Sequence, residues 1–135
     1  MTYLLDTNAF SDLVREHPAF DKRLASLAEN DLITICPIVR GEILFGLEKL
    51  ESGRRQRELK TMANKFFAVI QCESISEAAA DHYTKVKIAR QKKGLVLDEN
   101  DLWIAACALA SQAVLVTRDG DFRQIDGLAV EDWTK

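Results

Sequence analysis

Apolar and polar positions along this chain switch between short continuous runs and helical spacing, which sets out a series of strands separated by helices. Tyr3-Leu4-Leu5 is a short apolar run delivered directly to Asp6-Thr7-Asn8, and it reads as a buried strand ending at a helix start. Ala9–Glu16 has helical spacing in Phe10, Leu13 and Val14; Pro18 breaks it, and Ala19–Glu29 resumes it with Phe20, Leu24, Leu27 and Ala28. Leu32–Cys36 is a second strand rich in β-branched residues, and Pro37 suits the first turn of a helix reaching about Leu50. After Ser52-Gly53, the spacing predicts a helix over Arg54–Phe67 with a stripe of Leu59, Met62, Ala63, Phe66 and Phe67, then a short strand over Ala68–Cys72. Ser74 followed by Glu77 has the form of a capping box for a helix running through Ala79, Tyr83, Val86 and Ile88 to about Lys93, with Gly94 as its stop.

Leu95–Asp98 is a loop or short strand, and Asn100 is placed to cap an apolar helix over Asp101–Ser111. Ala113–Thr117 is the clearest buried strand, and Leu128–Val130 reads as a last edge strand. Strands alternating with helices imply βαβ units, hence a three-layer α/β/α domain whose central, mostly parallel sheet carries helices on both faces. Without repeats, linkers or low-complexity segments, residues 1–135 read as one domain.

A hydrophobic content of 47% excludes wholesale disorder. No apolar run approaches the roughly 18 to 20 residues that span a bilayer, and Asp6 arrives too early for a signal peptide, so a cytoplasmic protein with no membrane partner is expected. Cys36, Cys72 and Cys107 lie far apart in apolar runs, which suits small core residues rather than a disulfide framework or zinc site. The net charge of −3 hides an uneven distribution. Residues 1–48 carry four basic and eight acidic side chains, residues 49–93 eleven and five, and residues 94–135 three and eight. A basic middle between acidic ends can place a polyanion beside a group of carboxylates.

Four of those carboxylates sit where a structural role explains them poorly. Asp6 and Asp119 each follow a buried strand, so both belong at the carboxyl edge of one sheet, where open α/β folds bind ligands. At about 100° per residue, Ile38, Val39, Ile43, Leu47 and Leu50 define an apolar arc, and Glu42 falls inside it. A carboxylate on a core face is costly unless paired or bound to a metal. Asp101 opens a helix whose small residues, Ala105, Ala106 and Ala108, allow close approach to the sheet. Converging acids of this kind need a cation, and hard oxygen ligands without His or Cys suit Mg²⁺ or Mn²⁺ and phosphodiester chemistry. His17 and His82 lie on polar stretches and supply no base for a Ser-His-Asp or Cys-His arrangement, and neither G-x-x-x-x-G-K nor G-x-G-x-x-G occurs.

The chain as a whole resembles the PIN-domain proteins, specifically the VapC-type toxins of bacterial toxin–antitoxin pairs. Four segments in order carry the resemblance: Leu4-Leu5-Asp6-Thr7-Asn8, Pro37–Gly46 with its central glutamate, Asn100–Ala108, and Leu115–Phe122. The resemblance implies a Mg²⁺-dependent endoribonuclease with Mn²⁺ as a substitute, inhibiting translation by cutting RNA such as a tRNA. It implies Asp6 and Asp101 as principal metal ligands, Glu42 completing the site, and Asp119 as the fourth acid, with Asp121 as the alternative because the turn aligns either way. Thr117 would support the site and Asn8 would orient Asp6. Arg54, Arg55, Arg57 and Lys60, or Lys85, Lys87, Arg90, Lys92 and Lys93, would hold RNA phosphates. The expected partners are a VapB-like antitoxin, a second copy of the chain in a homodimer, and DNA only through the antitoxin. Phe10, Leu13, Val14 and Phe45 are candidates for the antitoxin groove. A single-stranded DNA nuclease and a catalytically silent antitoxin-binding module are the competing readings.

Overall fold

A computed structural model describes every residue, Met1–Lys135. Five strands, β1 (Thr2–Leu5), β2 (Leu32–Ile35), β3 (Gln71–Cys72), β4 (Val114–Val116) and β5 (Val130–Glu131), form one sheet in the order β3-β2-β1-β4-β5. Every pairing is parallel, with Tyr3 opposite Ile33 on one side and Val114 on the other. Six helices flank it: α1 (Thr7–Val14), α2 (Pro18–Ala25), α3 (Pro37–Lys49), α4 (Arg54–Val69), α5 (Glu77–Lys92) and α6 (Glu99–Ala110). The α/β/α architecture expected from the alternating pattern is therefore present.

The chain steps outward from β1 through β2 to β3, then returns to the other side of β1 for β4 and β5. With right-handed crossovers, that reversal puts α1–α4 on one face and α5–α6 on the other. Phe10 of α1 stacks on Phe67 of α4 at 4.9 Å between ring centroids and meets Phe66 edge-on, while α5 lies along α6. Because β1 and β4 are covered on both faces, Leu4, Leu5, Leu115 and Val116 are fully buried. They join Phe10, Phe20, Ile35, Ile104 and Phe122 in one hydrophobic cluster.

Several boundaries differ from the sequence expectation, each for a local reason. Helix α1 begins at Thr7, because Asp6 caps it, and ends at Val14; Glu16 takes a left-handed φ of 57° and His17 caps α2. Helix α4 continues to Val69, so β3 shrinks to two exposed edge residues, and Cys72 is a surface thiol rather than a core one. Helix α5 is capped by Ser76, whose Oγ accepts from the Ala79 N–H at 3.1 Å; Ser74 caps nothing and no capping box forms. Helix α6 starts at Glu99 behind Asp98, which leaves Asn100 inside the first turn and free for another partner. The last strand is displaced to Val130–Glu131.

Replacing Leu115 by Ala, in the centre of the buried strand, is expected to lower the unfolding free energy by about 2–5 kcal/mol. Leu32→Ala, at a site that is 55% exposed, should change it by about 0.5 kcal/mol or less. Urea denaturation measures both; equal losses at the two positions would contradict the burial pattern.

Candidate active site at the carboxyl edge of the sheet

The reversal between β1 and β4 opens a crevice at their carboxyl ends, the usual ligand site of open parallel sheets. Asp6 stands there as the residue after β1. Its N–H extends the β1–β4 ladder by donating to the Val116 carbonyl at 3.1 Å, and its Oδ1 accepts the Ala9 N–H at 2.8 Å. Capping and membership of the site are thus compatible: one oxygen holds the helix and the other remains. Asp6 is only 4% exposed, and burial raises its pKa above the ordinary carboxylate value. The Thr117 hydroxyl and the Ala9 N–H oppose that shift, whereas the charges of Asp119 and Asp12 add to it.

Glu42 projects from α3, a helix held at its far end by Gln56, whose Nε2 donates to the Leu47 and Leu50 carbonyls at 2.9 and 3.3 Å. Its carboxylate is half-buried and receives two hydrogen bonds, from the Thr7 hydroxyl at 2.5 Å and from Asn100 Nδ2 at 3.3 Å. These partners tie α3 to the first turns of α1 and α6. Asp101 lies in that first turn of α6, where the macrodipole favours an acid. Its pKa is nevertheless raised to about 6, first by burial and then by the charges of Asp98, Glu42, Asp6 and Asp119. Glu99, in the same turn, points elsewhere and bonds to the Tyr83 hydroxyl and Lys87.

Asp119 follows β4 by way of Thr117. The Asp119 N–H donates to Thr117 Oγ1 at 3.0 Å, and its own Oδ1 accepts the Asp121 N–H at 2.9 Å. Of the two candidates for a fourth acid, Asp119 is half-buried and its charge acts on both Asp6 and Asp101, whereas Asp121 is exposed. The structure therefore gathers Asp6, Glu42, Asp101, Asp119 and Thr117. Asn8 is exposed and hydrogen-bonds to no side chain, so the orientation of Asp6 comes from Thr117 and Ala9 instead.

The expected cations are divided. Arg54 pairs with Glu58, Lys60 with Glu48 and Lys87 with Glu99, while Arg55, Arg57, Lys85, Lys92 and Lys93 are exposed and without an acidic partner. Arg90 is a correction: it is 5% exposed, because it packs beneath the loop after α5 and donates to the Val96 carbonyl at 3.3 Å. Phe10, Leu13 and Val14 are core residues, although Val14 also borders a slot of about 180 Å³ with Leu47 and Leu59 that reaches Thr7 and Glu42. Phe45 is 65% exposed beside a wider cleft formed with Ile38, Glu42 and Asn100.

Sequence reasoning missed Thr7 and Asn100 as the partners of Glu42, and Asp12 with Arg118. Asp12 is buried on α1 and its Oδ1 lies 3.6 Å from Arg118 Nη1. Its signal was an acid flanking the apolar residues of a short helix, the same signal that singled out Glu42.

All the donors in the crevice are hard oxygens, and their excess negative charge fits a divalent cation better than any neutral ligand. As they stand, no three acidic, histidine or cysteine side chains are grouped closely enough to hold one ion among them. The fit is one of charge and donor chemistry, with Asp101 as its most sensitive member. Because the folded pKa of Asp101 lies above its ordinary 3.8, ionising it costs stability; the cost is absent below about pH 3.8 and complete above about pH 6. Asp101→Asn should therefore stabilise the protein at pH 7.5 by about 1 kcal/mol, after allowance for solvent screening. The gap between variant and wild type should close by pH 4 in denaturation curves measured across that range.

A family model described as the PIN domain matches residues 3–128. Ribonuclease VapC2 of Rickettsia felis is 31% identical over 137 residues, covering the whole of both chains. Ribonuclease VapC1 of Haemophilus influenzae strain R2866 is 33% identical over 141 residues, again covering both. Among solved structures, VapBC2 from Rickettsia felis bound to a DNA fragment from their promoter has a TM-score of 0.88 and 30% identity, over 98% of this chain and 99% of that one. VapBC-1 from nontypeable Haemophilus influenzae has a TM-score of 0.85 and 31% identity over the whole of each. No helix is long and apolar enough to cross a membrane. The chain belongs to the PIN-domain family and, within it, to the VapC proteins.

Proposed function

We propose that this chain is the ribonuclease toxin of a toxin–antitoxin pair and that it hydrolyses RNA phosphodiester bonds with Mg²⁺, or Mn²⁺ in its place. The observation that carries the reading is the convergence of four carboxylates at one sheet edge without a salt bridge to any of them. Asp6 and Asp101 would hold the ion, with Glu42 and Asp119 completing its surroundings. When bound, such an ion would supply positive charge against the attacked phosphate and favour deprotonation of the attacking water.

The protein's own groups do the positioning. The Ala9 N–H holds Asp6 Oδ1, and the Thr117 hydroxyl favours the ionised form of the same carboxyl. Glu42, clamped by Thr7 and Asn100, retains lone pairs to orient the attacking water along a fixed direction. The exposed cations Arg55, Arg57 and Lys92 would attract the RNA backbone. A VapB-like antitoxin would use the slot bordered by Val14, Leu47 and Leu59 and the cleft beside Phe45, both of which lead to Glu42. In a cell, uncontrolled cleavage of a tRNA or another translation component would arrest growth, and the antitoxin would relieve it and supply DNA binding. A homodimer of the chain is part of the same proposal.

Purified protein should cut RNA with Mg²⁺ or Mn²⁺ and stop with EDTA, while single-stranded DNA of the same sequence stays intact. Asp6→Asn should abolish cleavage and growth arrest together. Thr117→Val, which removes only a supporting hydroxyl, should reduce the rate by about 10- to 100-fold. Cleavage undiminished in Asp6→Asn, or equally fast on DNA, would refute the reading.

Metal binding should also displace the proton held by Asp101. Calorimetry of Mg²⁺ binding in buffers of different ionisation enthalpy should find about one proton released at pH 5.5 and none at pH 8, where the carboxyl is already ionised. Release that does not change with pH would remove Asp101 from the ligand set.

A further inference from the structure

Arg90 presents a problem that the active site does not absorb. Its side chain is 5% exposed, its Nε and Nη1 have no hydrogen-bond partner, and no carboxylate pairs with it. Its only side-chain bond is the 3.3 Å contact from Nη2 to the Val96 carbonyl, near the long limit for such a bond. A guanidinium cannot discard its charge, so two buried donor nitrogens without acceptors are a standing cost that a well-packed apolar side chain would avoid.

Arg90 also forms part of the wall of a cleft of about 460 Å³ between α5 and the segment Gln124–Gly127. That volume is in the range of small-molecule sites. Val86, Ala89, Leu109 and Ile125 supply apolar surface, while Lys85, Lys93 and His82 add basic groups; Asp126 is the one acid among the lining residues. A second, smaller cavity of about 220 Å³, bordered by Leu95, Val96 and Leu102, is lined by the same arginine. Arg90 thus lines both spaces and its guanidinium is fixed by one weak bond, so turning it into the larger cleft sacrifices little.

We propose that this cleft is a phosphate site that accepts one nucleotide. The phosphate would be received by Arg90 with help from Lys85 and Lys93, and the nucleoside would lie against Val86, Leu109 and Ile125. Arginine suits phosphate because its planar fork of donors matches the oxygens, and a bond between two charged partners is the strong kind. The nucleotide is either free or one unit of a bound RNA strand; the second source rests on the ribonuclease reading above, the first does not.

Thermal unfolding of the full chain, in inorganic phosphate, AMP or sodium glutamate at matched ionic strength, separates these cases. A free source predicts that phosphate or AMP at about ten times its Kd raises the midpoint by about 5 °C, and that Arg90→Met removes the rise. Without ligand, Arg90→Met should unfold no earlier than wild type, an outcome that a purely structural arginine would not give. If that variant fails to fold, Lys93→Glu, on the exposed rim, should weaken AMP binding about tenfold, equivalent to about 1.4 kcal/mol. An RNA source predicts no shift with phosphate or AMP, but a similar Lys93→Glu loss in affinity for a short RNA, measured in Asp6→Asn protein so that the strand stays whole. The proposal is overturned if glutamate raises the midpoint as much as phosphate does, if the rise survives in both variants, or if neither nucleotides nor RNA respond to Lys93→Glu. Wild-type protein that cuts no RNA while keeping its AMP shift would defeat the ribonuclease reading and leave the cleft assignment standing.

Discussion

Carboxylates placed together at the end of a parallel sheet repel one another, and much of the architecture can be understood as holding them there against that repulsion. Asp101 records the strain most directly: burial and four neighbouring charges lift its pKa to about 6. A chain free to relax would turn these side chains into solvent. Here three of the four are fastened, each by a separate device. Asp6 is fixed by the helix it caps and by Thr117, Glu42 by Thr7 and Asn100, and Asp119 by the Asp121 N–H. The fastenings come from α1, α6 and the segment after β4, so no single local motif produces the site. This is the ordinary form of a functional region that trades stability for preorganisation.

The compensating stability lies directly beneath. Leu4, Leu5, Leu115 and Val116 are fully buried in adjacent strands, and the Asp6 N–H continues their ladder to the Val116 carbonyl. The last residues of the core and the first residue of the site are therefore consecutive in sequence. A slip of the β1–β4 register would expose apolar side chains and separate Asp6 from Thr117 in one step. Packing thus fixes the electrostatics, which explains why the site can be built from short strands of three and four residues.

The strand–helix alternation was legible because buried parallel strands are short continuous apolar runs and the helices carry clear apolar stripes. Glu42 and Asp119 were legible for a related reason: each interrupts an apolar pattern or terminates one where nothing structural asks for an acid. What escaped was set by pairwise tertiary contacts. Asn100 has the composition of a cap, yet its amide crosses to α3 because Asp98 already occupies the capping position. Ser74 and Ser76 are equal in propensity, and only the path of the chain after β3 decides that Ser76 meets Ala79. Arg90 lies between charged residues in sequence and on a helix rich in lysine, so composition places it in solvent, whereas the turn at Gly94 folds the following loop over it. Cys72 errs in the opposite sense, since an apolar run ends on a sheet edge that nothing covers.

The distribution of cations completes the picture of an acidic edge left open. Of the eleven basic residues in the middle of the chain, those with acidic partners pair away from the crevice: Arg54 with Glu58, Lys60 with Glu48 and Lys87 with Glu99. The nearest cation in sequence to the site, Arg118, is held 3.6 Å from Asp12 and pairs with none of the four converging acids. A lysine or arginine placed among those acids would have neutralised them permanently and removed the strain that Asp101 records. Its absence leaves the charge to be balanced from outside by something that can come and go. For the proposed activity, that exchangeability would matter as much as the ligand set: the same unsatisfied crevice that would receive a divalent ion could equally receive a cationic side chain from a partner. Catalysis and inhibition would then be two ways of answering one electrostatic demand.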